Sequence, residues 1–236
     1  MSHDSRNLDN PPAYVEKATN EIWEPSIFIL AGTNIHVDSA DTAPLYQLSR
    51  AVTHVTSATK EVQFERFDRS VKTPATTEEP SVVPRTRHIY TVVCTARYDG
   101  RIAPHVFIKS VSRRTLGHLG TKRSHRLFRS KGLEVHPVDL AAWKANCGGQ
   151  KFVPGANALF SIDERSGRTV WSNSSSKAIA IEESSAKAHR FITTSALDRE
   201  TVDAVLALWC GRIWQQSIAH AEPVHQGVKE HGMYFE

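Results

Sequence analysis

DRETVDAVLALWCGRIWQQSI, residues 198–218, is the one strongly helical stretch of the chain, and its reading decides the fold. Asp198 stands where an N-cap belongs, and Glu200 lies in the first turn, where the helix dipole favours an anion. Val202, Val205, Leu206, Trp209 and Ile213 recur at helical spacing. From Ala204 to Gly211 the run AVLALWCG leaves the middle turns without a polar face, and Trp214 and Ile218 extend a second stripe beside Ala207. A helix apolar on every side must be enclosed by protein or by lipid. This run falls far short of the roughly 20 residues that span a bilayer, so protein is the expected surround.

Upstream the pattern is short strands. Ser26–Ala31 and Asn34–Val37 flank Gly32 as a hairpin, Leu45–Leu48 follows turn chemistry at 38–44, and Glu61–Phe67 alternates polar with apolar. Residues 68–84 are rich in Thr, Ser, Pro and Glu, and Pro74, Pro80 and Pro84 predict a long surface loop there. RHIYTVVCTAR, 87–97, is the best strand on β-branched and aromatic content. Further strands are predicted at 104–110, 127–128, 133–136, 157–162, 169–171, 178–182 and 189–194, with Asp163–Gly167 as a hairpin turn. Ten to twelve strands followed by one buried helix, without βαβ alternation, predict a mainly β fold. A closed antiparallel β-barrel leaves no open edges and offers its interior to a helix with no polar side. The expected division is a flexible N-terminal arm at 1–22, the barrel at 23–219 with its central helix at 198–218, and a tail at 220–236.

Of 236 residues, 40% are apolar and 23% charged, which reads as globular. Cys94, Cys147 and Cys210 are too few and too scattered for a disulfide framework or a metal site, and no apolar segment qualifies as a signal or a membrane span. A cytoplasmic location is expected.

Trp23–Phe28, Ser39–Arg50 (SADTAPLYQLSR), Arg85–Tyr90 and the pairs Trp209-Cys210 and Ile213-Trp214 resemble fungal proteins with a tubby C-terminal-like domain, kin of the LURP-one-related and phospholipid-scramblase folds. The resemblance spans about Trp23 to Ile218. It implies a twelve-stranded barrel threaded by a hydrophobic C-terminal helix. Tubby domains proper bind phosphoinositide headgroups through surface cations, but none of those positions can be matched here one by one.

Charge is concentrated in Lys109–Lys131, KSVSRRTLGHLGTKRSHRLFRSK, which holds eight of the 29 Lys and Arg and none of the 25 Asp and Glu. Arg113, Arg114, Lys122, Arg123, Arg126 and Arg129 are therefore the candidate ligands for an anion, such as the phosphate of an anionic lipid touched peripherally. Alternatively the run is a solvated hairpin whose cations protect an edge. Nucleic acid is disfavoured because Phe128 is the only aromatic residue in the window.

Twelve histidines invite catalytic readings, but His118 and His125 lack zinc-ligand spacing, and nothing pairs His88 or His105 with a carboxylate. Asp38 and Asp41, flanked by Ser39 and Thr42, read as turn formers. Cys147, near Lys144 and Lys151, has no recognisable base. No phosphate loop, nucleophile elbow or HExxH motif occurs, and no cofactor or metal is expected. The expected function is a non-enzymatic binding module for anionic phospholipid or another phosphate-bearing ligand. Its rivals are a fungal cyclase- or isomerase-type enzyme using a barrel pocket lined by His88, His105, Glu65 or Asp41, and an adaptor with an exposed aromatic patch near Trp143 or Trp171. Oligomeric state is left open.

Overall fold

The structure, a computed structural model, describes residues 21–55, 58–72, 81–95, 103–124, 132–145, 151–165, 167–184 and 188–230. Twelve strands form a closed antiparallel barrel in which each strand pairs with its neighbours in the chain. They are β2 (Ile27–Ala31), β3 (Asn34–Val37), β4 (Tyr46–Leu48), β5 (Glu61–Lys72), β6 (Ser81–Cys94), β7 (Val106–Ser110), β8 (Leu119–Arg123), β9 (Leu133–Pro137), β10 (Phe160–Arg165), β11 (Arg168–Asn173), β12 (Ala178–Ser184) and β13 (His189–Thr193). The seam closes between β13 and β2, with Phe191 opposite Phe28. Outside the barrel, β1 (Ile22–Trp23) pairs with β14 (Leu197–Asp198). Ile22, expected at the end of the arm, is thus part of a strand.

Two helices complete the fold, a short α1 (Leu140–Lys144) and the long α2 (Arg199–Glu230). The helix runs twelve residues beyond Ile218, where the sequence reading ended it. Asp198 caps it, accepting from the Thr201 amide at 2.8 Å and from the Thr201 hydroxyl at 2.8 Å.

Inward residues of the barrel and the greasy turns of α2 form one core. Val202 and every residue from Ala204 to Cys210 are fully buried, as are Trp214, Phe28, Phe64, Trp171 and Phe191. The helix packs backbone-close against the wall at one point, because a Cβ on Gly211 would overlap Val106 Cγ1 and lie 3.1 Å from Val92 Cγ1. Gly211→Ala is therefore expected to lower stability by about 1–3 kcal/mol despite alanine's better helix propensity, as read from urea unfolding. A gain in stability would show that the helix stands off from β6 and β7.

Several local expectations fail for identifiable reasons. The segment predicted as a loop from 68 onward instead extends the β5–β6 hairpin to Lys72 and Ser81, with Arg69 opposite Pro84. Pro84 is tolerated because β7 pairs with Tyr90–Cys94, so among the described residues no strand pairs with the outer edge of β6 at Pro84. Asp163 and Glu164 lie within β10, paired with Val170 and Thr169, and Gly167 before β11 stands at φ 75°. Arg66 breaks the expected alternation of β5: opposite Tyr46, it turns toward the core. The strand β8 lies inside the basic run, where no strand was expected, and the strand expected at 127–128 falls outside the described residues.

Candidate anion-binding surface

The turn between β7 and β8, residues 111–118, is held by its own hydroxyls. Ser110 Oγ and Thr115 Oγ1 are 2.7 Å apart, and the Gly117 amide donates to Thr115 Oγ1 at 3.2 Å. Gly117 sits at φ 84°, a conformation that favours glycine. The Ser110 amide donates to His118 Nδ1 at 3.0 Å, which places the ring proton of a neutral imidazole on Nε2. At the tip Arg113 and Arg114 are exposed, and Val111 beside them is 51% exposed.

On the outer wall α1 is fastened across β7. Asp139 caps it, accepting from the amides of Ala141 at 2.8 Å and Ala142 at 3.1 Å, and Trp143 packs on Phe107 with ring centroids 4.5 Å apart. Buried Lys151 donates to the Ala142 carbonyl at 2.6 Å; Cys147 lies outside the described residues. Lys144, in the last turn of α1, is left in solvent. Burial lowers the His118 pKa, and the charges of Lys109 and Lys144 lower it further, so both ammonium groups act on the ring beneath the Arg113–Arg114 turn.

The six candidate cations are not all together. Arg113 and Arg114 precede β8, whereas Lys122 and Arg123 end it, about 13 Å further along the strand. Lys122 Nζ lies 5.5 Å from the Phe152 ring centroid and stands opposite Glu134 on β9. Arg126 and Arg129 fall outside the described residues, as does His125. Lys109 on β7 and Lys144 on α1 instead both act electrostatically on His118, in the same turn as the arginine pair. Lys109 was visible as part of the basic run, but Lys144 lies 30 residues beyond Arg114 in chain order, on a helix too short to leave a periodic signal.

A second polar constellation, unseen in the sequence, sits where α2 enters the barrel. Asp203, the fifth residue of α2 and wholly buried between Val202 and Ala204, accepts from Tyr46 Oη at 2.8 Å and from Arg66 Nη1 at 2.5 Å. Arg66 Nε also donates to Asp68 at 2.7 Å, and Arg87 and Arg199 approach Asp68 at 3.4 and 3.7 Å. Arg199 further pairs with Glu21 and lies over the Trp23 ring. Burial pushes Asp203 up to about 6, against the pull of Arg66 and the Tyr46 hydrogen bond, and burial together with Asp203 raises Tyr46. The signal available was one acid inside the apolar run, which requires a buried partner.

At the opposite mouth a cavity of about 170 Å³ is lined by Glu164, Thr169, Arg212 and Gln216. Arg212 Nε donates to Glu182 at 2.9 Å, and Trp171 Nε1 donates to the same carboxylate at 2.6 Å. Trp171 is fully buried and Trp143 is packed on Phe107, so neither supplies the exposed aromatic patch of the adaptor reading. His88 Nε2 lies 3.0 Å from the Tyr90 carbonyl and 3.2 Å from Thr91 Oγ1, and Asp41 is held in a turn by Ser39. Among the described residues no three His, Cys, Asp or Glu are grouped to hold a metal, and no helix is long and apolar enough to cross a membrane. Compared with protein-family models, with curated proteins and with solved structures, the chain finds no match.

Proposed function

We propose that this is a non-enzymatic binding module of tubby-like fold, cytoplasmic, that docks peripherally on anionic phospholipid through Arg113, Arg114, Lys109 and Lys144. The observation that carries this reading is a braced turn whose exposed tip combines Arg113 and Arg114 with Val111, with Lys109 on β7 and Lys144 on α1 both within electrostatic reach of His118 in that turn. Phosphate oxygens would meet the arginines while Val111 reaches the headgroup layer. Near an anionic surface each cation contributes about 1 kcal/mol, reduced by salt. The catalytic rival calls for a pocket at a barrel mouth or between barrel and helix, and among the described residues the apolar turns of α2 pack with the inward barrel residues in one core. The outlet cavity, about 170 Å³, is below the roughly 300 Å³ of ordinary small-molecule sites and is not lined by His88, His105, Glu65 or Asp41.

Vesicle sedimentation tests the proposal. Binding to vesicles containing phosphatidylserine should exceed binding to neutral vesicles and weaken with salt. Removing two cations with Arg113→Ala and Arg114→Ala should weaken it about thirtyfold. Lys122→Ala with Arg123→Ala should have a smaller effect, since those residues lie at the other end of β8. Equal pelleting of wild type and the arginine variant overturns the proposal.

A further inference from the structure

A groove of about 650 Å³ runs along the outer wall of the barrel at β2 and β13, lined among others by Ile29, Ala31, Asp38, His54, His189 and Arg190. Around the barrel β2 and β13 are far from β7 and β8, so this groove is independent of the proposed lipid surface. Its size falls within the range of small-molecule sites, roughly 300–1,000 Å³.

The register explains its character. Ile29 pairs with Arg190 on one side and His36 on the other, so Ile29 and Arg190 share the outward face, and Ala31 continues it one step along β2. His36 is taken up by the chain itself, its Nδ1 lying 2.6 Å from the Thr42 carbonyl, which draws the 38–42 loop over the wall as one rim of the groove. Asp38 starts that rim, its amide donating to the Ile27 carbonyl at 2.8 Å. Asp38 and Arg190 are both exposed, and among the described residues neither side chain makes an ion pair, although Glu183 stands opposite Arg190 on β12. One cation and one anion thus face the same apolar floor. Asp38 flanks β2 on the β3 side, bonded at Ile27, and Arg190 flanks it on the β13 side, opposite Ile29, so their backbones are offset by about 7 Å along β2 and about 10 Å across it.

We propose that this groove binds a zwitterionic amino compound of short-peptide size, with its carboxylate on Arg190, its ammonium on Asp38 and an apolar side chain on Ile29 and Ala31. A guanidinium donates two parallel hydrogen bonds to a carboxylate, the strongest such contact available at an open site. The two charges stand on opposite sides of β2, so a ligand of short-peptide length lying across the apolar floor meets both. A plain anion would leave Asp38 opposing it, and a plain cation would oppose Arg190.

The test uses the dipeptide Leu-Leu, its N-acetyl derivative and its C-terminal amide, titrated calorimetrically and followed by the amide shifts of Ile29 and Ala31. Leu-Leu should bind saturably, with each blocked derivative about tenfold weaker. Arg190→Gln should weaken Leu-Leu about tenfold while leaving the amide unaffected, and Asp38→Asn should do the same while leaving the acetylated form unaffected. Both substitutions are exposed, and Asn accepts the φ of 64° found at residue 38, so melting temperatures near wild type serve as the control. Absence of saturable binding, equal affinity for the blocked peptides, or unchanged affinity in both variants overturns the proposal.

Discussion

Trp209→Ala is expected to lower the unfolding free energy by about 3–5 kcal/mol. Trp209 is fully buried in the middle of α2, and its ring lies 5.5 Å from that of Phe191 on β13, which in turn meets Trp171 on β11 at 5.4 Å. The helix therefore touches the far wall of the barrel through an aromatic chain. Truncation to alanine opens a cavity that a closed sheet cannot collapse, since each strand is hydrogen-bonded on both sides. No hydrogen bond is lost in the exchange, because the Trp209 indole N–H has no acceptor among the described residues. Trp209→Phe should consequently cost much less than Trp209→Ala. Urea unfolding of the two variants checks this, and a loss below about 1 kcal/mol for Trp209→Ala would mean that the ring is not in the core.

The second large effect concerns pH. Asp203 has its pKa raised from 3.8 to about 6 by burial, so the native state holds the proton more tightly than the unfolded chain. Below about pH 4 both states are protonated and the group contributes nothing. Between about pH 4 and 6 the unfolded chain has lost the proton while the native state retains it, so stability falls as pH rises. Above about pH 6 the loss is complete, at roughly 3 kcal/mol. Asp203→Asn keeps an acceptor for Tyr46 and leaves Arg66 its bond to Asp68, but removes the titration. The stability difference between wild type and Asp203→Asn should therefore shift by roughly 3 kcal/mol in favour of the variant between pH 4 and pH 7. A difference that stays flat over this range, or shifts the other way, would mean that the Arg66 contact outweighs burial.

The helix and its enclosure were legible because the run from Ala204 to Gly211 has no polar face, a pattern with few structural solutions. Strands such as β2, β3 and β13 were legible from short apolar runs bounded by turns. The cationic content of β8 concealed its pattern: Leu119 and Thr121 point inward, but Lys122 and Arg123 make the segment read as a charged loop. The β5–β6 ribbon was hidden by the prolines of 68–84, of which Pro84 sits opposite Arg69 beyond the reach of β7. As for the site, Arg113 and Arg114 stood out as adjacent cations in a run without acids. That Lys122 and Arg123 stand apart from them depends on which end of β8 each occupies, and Lys144 comes within electrostatic reach of His118 through Trp143, which fastens α1 over Phe107. The groove at β2 and β13 could not be read, because Asp38 and Arg190 are 152 positions apart and meet only through the seam that closes the barrel.

Hydrogen exchange of the α2 amides measures the enclosure of that helix most directly. Amides from Val205 to Ile213 are expected to exchange only through global unfolding, with an opening free energy equal to that from urea denaturation and well above that of α1. Exchange of these amides through local opening, at a free energy several kcal/mol below the global value, would contradict a helix held inside a closed barrel.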